Sequence, residues 1–202
     1  DTRLSFVCPV FNKETSLLKF LKNFSQFEHH DYEIIFINDA STDHSKKILT
    51  EWAPITQKPI QIVNIEIPIF ETASDNVGFA LSRGDIVCEL QSDIYISDVG
   101  LLDRVSHVFD KFQFTSLSCR CGHSWNRQMR TRDRVINAIR NIQLNQHNRY
   151  ECGQLDQSIF RMNAVENNSC LYFVDTNNRG PWFLNGEHIR KELLRCDLFF
   201  LG

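Results

Sequence analysis

Three short stretches set oxygen-bearing side chains directly after apolar runs. Ile86-Val87-Cys88-Glu89-Leu90 ends in Gln91-Ser92-Asp93, and Tyr32 to Ile37 ends in Asn38-Asp39-Ala40-Ser41. The first run, Leu4 onward, ends in Pro9-Val10-Phe11-Asn12. A carboxylate at such a place offers acceptor oxygens, which suit either an N–H donor or a hard divalent cation. It also suits an Asx turn that starts a helix. Taken singly, Asp39 before Ala-Ser-Thr-Asp reads as such a turn residue, and so does Asp93. Asp98 is expected to cap a helix that begins at Val99 or Gly100.

These residues need a scaffold. Leu4–Val10 is nearly all apolar, the pattern of a strand buried on both faces. Asn12 is placed to cap a helix carrying Leu17, Leu18, Leu21 and Phe24 on one face. Tyr32–Asp39 follows as a strand, and Ser41-Thr42-Asp43 then opens a helix with Ile48, Leu49 and Trp52 on one side. Residues 59–69 alternate, as a strand near a sheet edge does. A short helix or turn is expected over Asn76–Arg83, stopped by Gly84. The Ile86 strand, a helix from about Asp98 to Phe112 and a strand over Phe114–Cys121 complete a β-α-β-α-β-α-β-α-β order. That order predicts an α/β fold with a mostly parallel sheet, whose ligands bind beyond the carboxyl ends of the strands.

From Gly122 to Gln157 the chain turns polar and rich in Arg and Asn, with one amphipathic patch (Val135, Ile136, Ile139, Ile142). Leu171–Val174 reads as a further strand. The 202 residues carry 42% hydrophobic and 23% charged side chains, enough for one sizeable core. A net charge of −3 argues against a nucleic-acid partner. No apolar run approaches the roughly 20 residues of a membrane span, and the N-terminus lacks the layout of a signal peptide. The seven cysteines are odd in number, and several lie in apolar strands. Reduced thiols and a cytoplasmic location are therefore expected. Neither a G-x-G-x-x-G nor a phosphate-binding G-x-x-x-x-G-K-[ST] occurs.

In order and spacing, "SFVCPVFNKE", "YEIIFINDASTDHS" and "SDNVGFALSRGDIVCELQSDI" resemble the nucleotide-sugar-binding half of a family 2 glycosyltransferase with the GT-A fold. "GPWFLNGEHIRKELLRCDLFFLG" is a weaker echo of that family's acceptor side. The resemblance implies one GT-A domain over 1–202, with residues 1–112 holding the nucleotide sugar and 113–202 facing the acceptor. Pro9, Val10 and Phe11 would wall the nucleobase, Asp39 would accept its N3–H, and Gln91 and Ser92 would lie near the ribose. Asp93 would hold Mn²⁺ or Mg²⁺ against the donor diphosphate. The implied partners are a UDP-sugar (or dTDP-sugar) donor and a glycan, glycoprotein or polysaccharide acceptor, joined by inverting displacement.

The chain departs from the family at two positions. The first acid of the family's D-x-D is Gln91, and the Arg of its R-N-x-G is Asp75. Because no Lys or Arg lies between Lys58 and Arg83, diphosphate charge must be met by the metal or by arginines of the 122–149 stretch. The family's catalytic base would fall just past Gly202, so either the chain is a piece of a longer enzyme or another carboxylate serves; Glu187, Asp197 and Asp175 are the candidates. A retaining transferase without a base and a degenerate GT-A domain that binds without turnover are the alternatives. A nucleotidyltransferase would want a Gly-rich basic loop after the first strand, where this chain has "PVFNKET". The histidines show no metal-ligand spacing, and solvated roles are expected for them. Trp182 is expected in the core.

Overall fold

The computed structural model describes residues 3–96, 98–112, 115–118, 161–165, 169–172 and 181–195. Its elements are β1 (Leu4–Val10), α1 (Glu14–Asn23), β2 (Tyr32–Asp39), α2 (Ser45–Trp52), β3 (Ile60–Ile65), α3 (Phe70–Leu81) and β4 (Ile86–Glu89). They continue with α4 (Leu101–Phe112), β5 (Ser116–Ser118), β6 (Arg161–Val165), β7 (Ser169–Tyr172), β8 (Trp182–Asn185) and α5 (Gly186–Arg195). The chain divides into two units, Asp1–Leu117 with Gly180–Gly202, and Ser118–Arg179. In the second unit β6 and β7 pair antiparallel.

The first unit is built on a six-stranded sheet of order β3-β2-β1-β4-β8-β5. β1 pairs parallel with both β2 and β4, and β2 pairs parallel with β3. β8 runs antiparallel to β4. Side chains of β1 and β2 alternate between two apolar layers, which is why their sequences are apolar throughout. On one face Phe6 and Tyr32 pack with Phe24 and Phe27 of the turn after α1, ring to ring. On the other, Val7, Ile35, Ile37 and Val87 pack with Phe79 of α3, Leu184 of β8 and Leu193 of α5. Cys8 and Cys88 are buried free thiols. Burial first, then the charges of Glu89 and Asp75, push the Cys8 thiol well up, so it stays protonated filler.

Several boundaries differ from expectation. Helix α3 begins at Phe70, well before Asn76, because its first amides are capped by a carboxylate from another strand. Helix α4 begins at Leu101, and Asp98 leads into it through an Asx turn, its carboxylate accepting the Gly100 N–H at 3.1 Å and its carbonyl the Leu101 N–H at 3.2 Å. Of the strand expected over Phe114–Cys121, Ser116–Ser118 is strand and Thr115 a bend, and 114 and 119–121 lie outside the described residues. The strand near Leu171 runs over Ser169–Tyr172.

The sheet order has one functional consequence. From β1 the chain moves outward to β2 and β3, then α3 carries it back across the sheet to β4 on the opposite side of β1. The crevice at such a reversal, beyond the carboxyl ends of β1 and β4, is where open α/β sheets bind ligands.

Candidate active site

The β1 tip is tied to the β2 tip by reciprocal capping. Register sets Val10 beside Asn38. The Asn12 N–H donates to Ser41 Oγ at 3.1 Å, the Lys13 N–H to Ser45 Oγ at 2.8 Å and the Glu14 N–H to Asp43 Oδ2 at 2.9 Å. In return the Thr42 N–H donates to Asn12 Oδ1 at 2.8 Å, and the His44 N–H to Glu14 Oε2 at 3.0 Å. Side chains of each loop thus meet amides at the start of the other's helix, while the Ser45 N–H is met by Asp43 of its own loop at 2.9 Å. Asn12 therefore ties two loops together where it was expected to cap α1. The His44 amide, then its imidazole, hold the Glu14 carboxyl below its ordinary value. Burial raises Asp43, but hydrogen bonds from Ser45 and Glu14 outweigh it and the net shift is downward.

Asp39 closes the β2 side. It is buried, 6% exposed, and its two oxygens accept the Ile69 and Phe70 amides, each at 2.9 Å. This pins the start of α3 to the β2 tip. Each carboxylate oxygen keeps a lone pair for a further donor. Phe11 stands 52% exposed at the β1 tip, and Ile67, in the chain leading into α3, and Phe70, the first residue of α3, are 77% and 78% exposed. The tip therefore combines one buried acid with exposed apolar side chains.

The β4 tip supplies the rest. The Gln91 amide nitrogen donates to Glu89 Oε1 at 2.9 Å and to Glu71 Oε1 at 2.6 Å, bridging β4 to α3. Both its hydrogens are engaged, so its carbonyl oxygen is the group left to meet a ligand hydroxyl. Ser92 is buried, 1% exposed. The Asp93 side chain is 59% exposed, and Lys13 Nζ sits 2.8 Å from its Oδ2. That ion pair brings the β4 tip against the turn after β1. Phe11, Asp39 and Asp93 thus stand around the ends of three adjoining strands.

Asp93 fits a divalent cation. It is an exposed carboxylate already facing a cation, the Lys13 ammonium, and Mg²⁺-type sites take one or two carboxylates with water and phosphate completing the shell. An exposed pair of this kind is weak, so a stronger cation can displace the ammonium. Sequence reasoning passed over Lys13. The signal was the lone Lys in "PVFNKET", next to a strand tip already singled out.

Other candidates fall elsewhere. Glu187 lies in the first turn of α5, ion-paired with Lys191. Residue 185, just before that turn, pairs with Ile86 at the start of β4, so Glu187 stands at the sheet end opposite Asp93. There it lines a cavity of about 620 Å³ together with Asp85, Asp110 and His188. Asp175, Asp197 and the arginines from 127 to 149 lie outside the described residues. Trp182 pairs in register with Glu89, packs on the core and donates its indole N–H to Ser116 Oγ at 2.7 Å.

Known proteins resemble the chain in sequence and in fold. Over 94 residues the chain is 33% identical to undecaprenyl-phosphate 4-deoxy-4-formamido-L-arabinose transferase of Pseudomonas fluorescens, covering 45% of this chain and 28% of that protein. It is 28% identical over 96 residues to glycosyltransferase GlyA of Streptococcus pneumoniae, covering 48% of this chain and 14% of the other. The chain thus spans under a third of the length of the curated relatives it matches. Among solved structures, TarS 1-349 of S. aureus superposes with a TM-score of 0.54 at 18% identity, covering 64% of this chain and 39% of that one. Mannosyltransferase PcManGT of Pyrobaculum calidifontis, solved with GDP-Man and Mn²⁺, gives 0.56 at 17% identity, covering 59% and 36%. These neighbours share the GT-A fold. Residues 5–167 match glycosyl transferase family 2, and the chain belongs to that family of glycosyltransferases.

Proposed function

We propose that this glycosyltransferase moves a sugar from a UDP-sugar (or dTDP-sugar) donor to a nucleophilic oxygen, with inversion at the anomeric carbon and assistance from Mn²⁺ or Mg²⁺. The observation that carries the reading is the convergence of Phe11, Asp39 and Asp93 on the ends of adjoining strands. Pro9, Val10 and the Phe11 ring wall the base, and Asp39 accepts its N3–H on a remaining lone pair. The Gln91 carbonyl and the Ser92 segment meet the ribose. Asp93 would hold the metal, and the Lys13 ammonium, now 2.8 Å from Asp93 Oδ2, would be available to the diphosphate. A divalent ion held there would supply positive charge to offset that of the leaving diphosphate. A TarS structure with UDP-GlcNAc, of TM-score 0.51, supports a uridine donor; PcManGT, solved with GDP-Man, makes guanine the competitor to test.

In the transfer, acceptor oxygen bonds to the anomeric carbon while that carbon's bond to the diphosphate oxygen breaks, and the nucleoside diphosphate leaves with the electron pair. A hydroxyl acceptor on a glycan or glycoprotein must also lose its proton to a base. Glu187, set at the far end of the sheet, is poorly placed for that. The Pseudomonas relative, named for undecaprenyl phosphate, favours a second acceptor reading. A polyprenyl phosphate is already ionised near neutral pH, since a phosphate's second pKa is about 6, and so needs no base. We take residues 1–112 as the nucleotide-sugar half and 113–202 as the acceptor half of one catalytic domain. A reducing, cytoplasm-like compartment suits the buried free thiols.

The donor reading is tested by thermal unfolding with UDP, dTDP and GDP, in Mn²⁺ or in EDTA. UDP is expected to raise the midpoint most, and more with Mn²⁺. Asp93→Ala is expected to remove the metal-dependent part and keep the rest. The absence of any shift with all three diphosphates would rule out the donor site. A radiolabelled-sugar assay against polyprenyl phosphate and oligosaccharide acceptors then separates the two acceptor readings.

A further inference from the structure

A second cluster lies at the opposite ends of the strands. His29 and His30 sit in the chain that enters β2, and Asp103 is in the first turn of α4. Their ligand atoms all lie within 4.8 Å of one another. His30 Nε2 faces Asp103 Oδ1 at 3.8 Å, too far for a hydrogen bond. That nitrogen is shielded from solvent and has no hydrogen-bond partner among the described residues. A buried polar atom left unsatisfied asks for a reason, and a missing ion is one.

The site has one fixed ligand and two adjustable ones. The His30 backbone is held at both ends: its N–H donates to the Phe27 carbonyl at 2.9 Å and its carbonyl accepts Lys58 Nζ at 2.6 Å. Its ring lies beside Phe27 and is tilted against that of His29, the two imidazole centroids 4.1 Å apart. His29 and Asp103 are exposed side chains able to rotate. Ligands about 2.0–2.1 Å from a tetrahedral centre stand roughly 3.3 Å apart, so a small contraction by these two closes the set.

We propose that His29, His30 and Asp103 bind a Zn²⁺ ion, with water completing its shell, and so staple α4 to the chain entering β2. Two imidazoles and one carboxylate select zinc over magnesium or calcium, which want all-oxygen shells. This ion is not the donor's. β2 carries the chain from Tyr32 to Asp39, about 23 Å at 3.3 Å per residue, and the donor site lies at that far end.

The test titrates the chelator-treated 202-residue chain with Zn²⁺ alone, by calorimetry, alongside His29→Ala, Asp103→Ala, Asp93→Ala and His107→Ala. Both ligand substitutions are at exposed side chains, and circular dichroism checks that each variant folds. One Zn²⁺ is expected to bind the wild type, with affinity at least tenfold weaker in His29→Ala and Asp103→Ala and unchanged in the other two. The Co²⁺-loaded chain is expected to show the visible bands of a nitrogen–oxygen site with no thiolate charge-transfer band. No binding by the wild type, undiminished binding by either ligand variant, or a thiolate band would each overturn the assignment.

Discussion

Ala40 and Phe70 hold backbone angles that L side chains avoid, with φ of 52° and 65°. Both adjoin Asp39: Ala40 follows it in sequence, and the Phe70 amide donates to its carboxylate. The left-handed conformation costs about 1–2 kcal/mol for a residue with a Cβ. At Ala40 it is retained because its N–H donates to the Ile65 carbonyl at 2.9 Å, tying β2 to β3 beside the site. Ala40→Gly keeps that bond and removes the Cβ penalty, at the expense of a freer unfolded chain. We expect a net gain of about 0.5–1 kcal/mol in urea unfolding, with UDP-induced stabilisation unchanged. A loss of stability would mean that the Ala40 methyl packs in a way the backbone argument neglects.

At the scale of elements, the packing of α3 on β1 decides how β4 is brought beside β1. Gly78, on the buried face of α3, is what permits it, since a Cβ there would stand 2.2 Å from Val7 Cγ1. That close approach gives a physical reason for the glycine in "DNVGFALSRGD". In an exposed helix Gly78→Ala would be favourable by about 1 kcal/mol. Here overpacking typically costs about 1–3 kcal/mol, so the expected outcome is a lower urea midpoint. In a Val7→Ala background the same Gly78→Ala change should cost less, because the 2.2 Å contact is gone and only Val7 Cβ, at 3.2 Å, remains close. If Gly78→Ala is neutral alone, α3 can shift away from β1 without consequence.

Across the whole molecule, acid sensitivity should come from carboxylates that join distant segments. Glu33 of β2 is buried and accepts Ser5 Oγ at 2.7 Å, the Arg83 N–H at 2.8 Å, and Arg83 Nε and Nη2 at 3.0 and 2.7 Å. Burial alone would raise its value, but Ser5 and Arg83 outweigh it and the net shift is downward. A folded value below the unfolded 4.5 means that its stabilisation is complete above about pH 4.5 and is lost as pH falls through the folded value. Glu14 and Asp43, both lowered, act in the same direction. Glu33→Gln is expected to cost about 1.5–3 kcal/mol at pH 7, and its difference from wild type should shrink in urea melts taken toward pH 3. A gap that stays constant with pH would show that Glu33 acts by shape and not by charge.

The strands and the two first helices were legible because apolar runs and 3.6-residue periodicity are local signals. Strand-tip positions for Phe11, Asp39 and Asp93 followed from those elements, and the motif order carried the family. What the linear order could not contain was who caps whom. Asn12 reaches the β2–α2 loop, Asp39 starts a helix about thirty residues away, and Lys13 covers Asp93. The same holds for His30 beside Asp103, far apart in sequence yet neighbours in space. Each such contact joins groups from different elements, and only the crossing of α3 over the sheet, the packing of α1 on α2 and the placing of α4 beside the chain entering β2 bring them within reach. Local residue chemistry thus set which groups were available, while chain topology chose their partners.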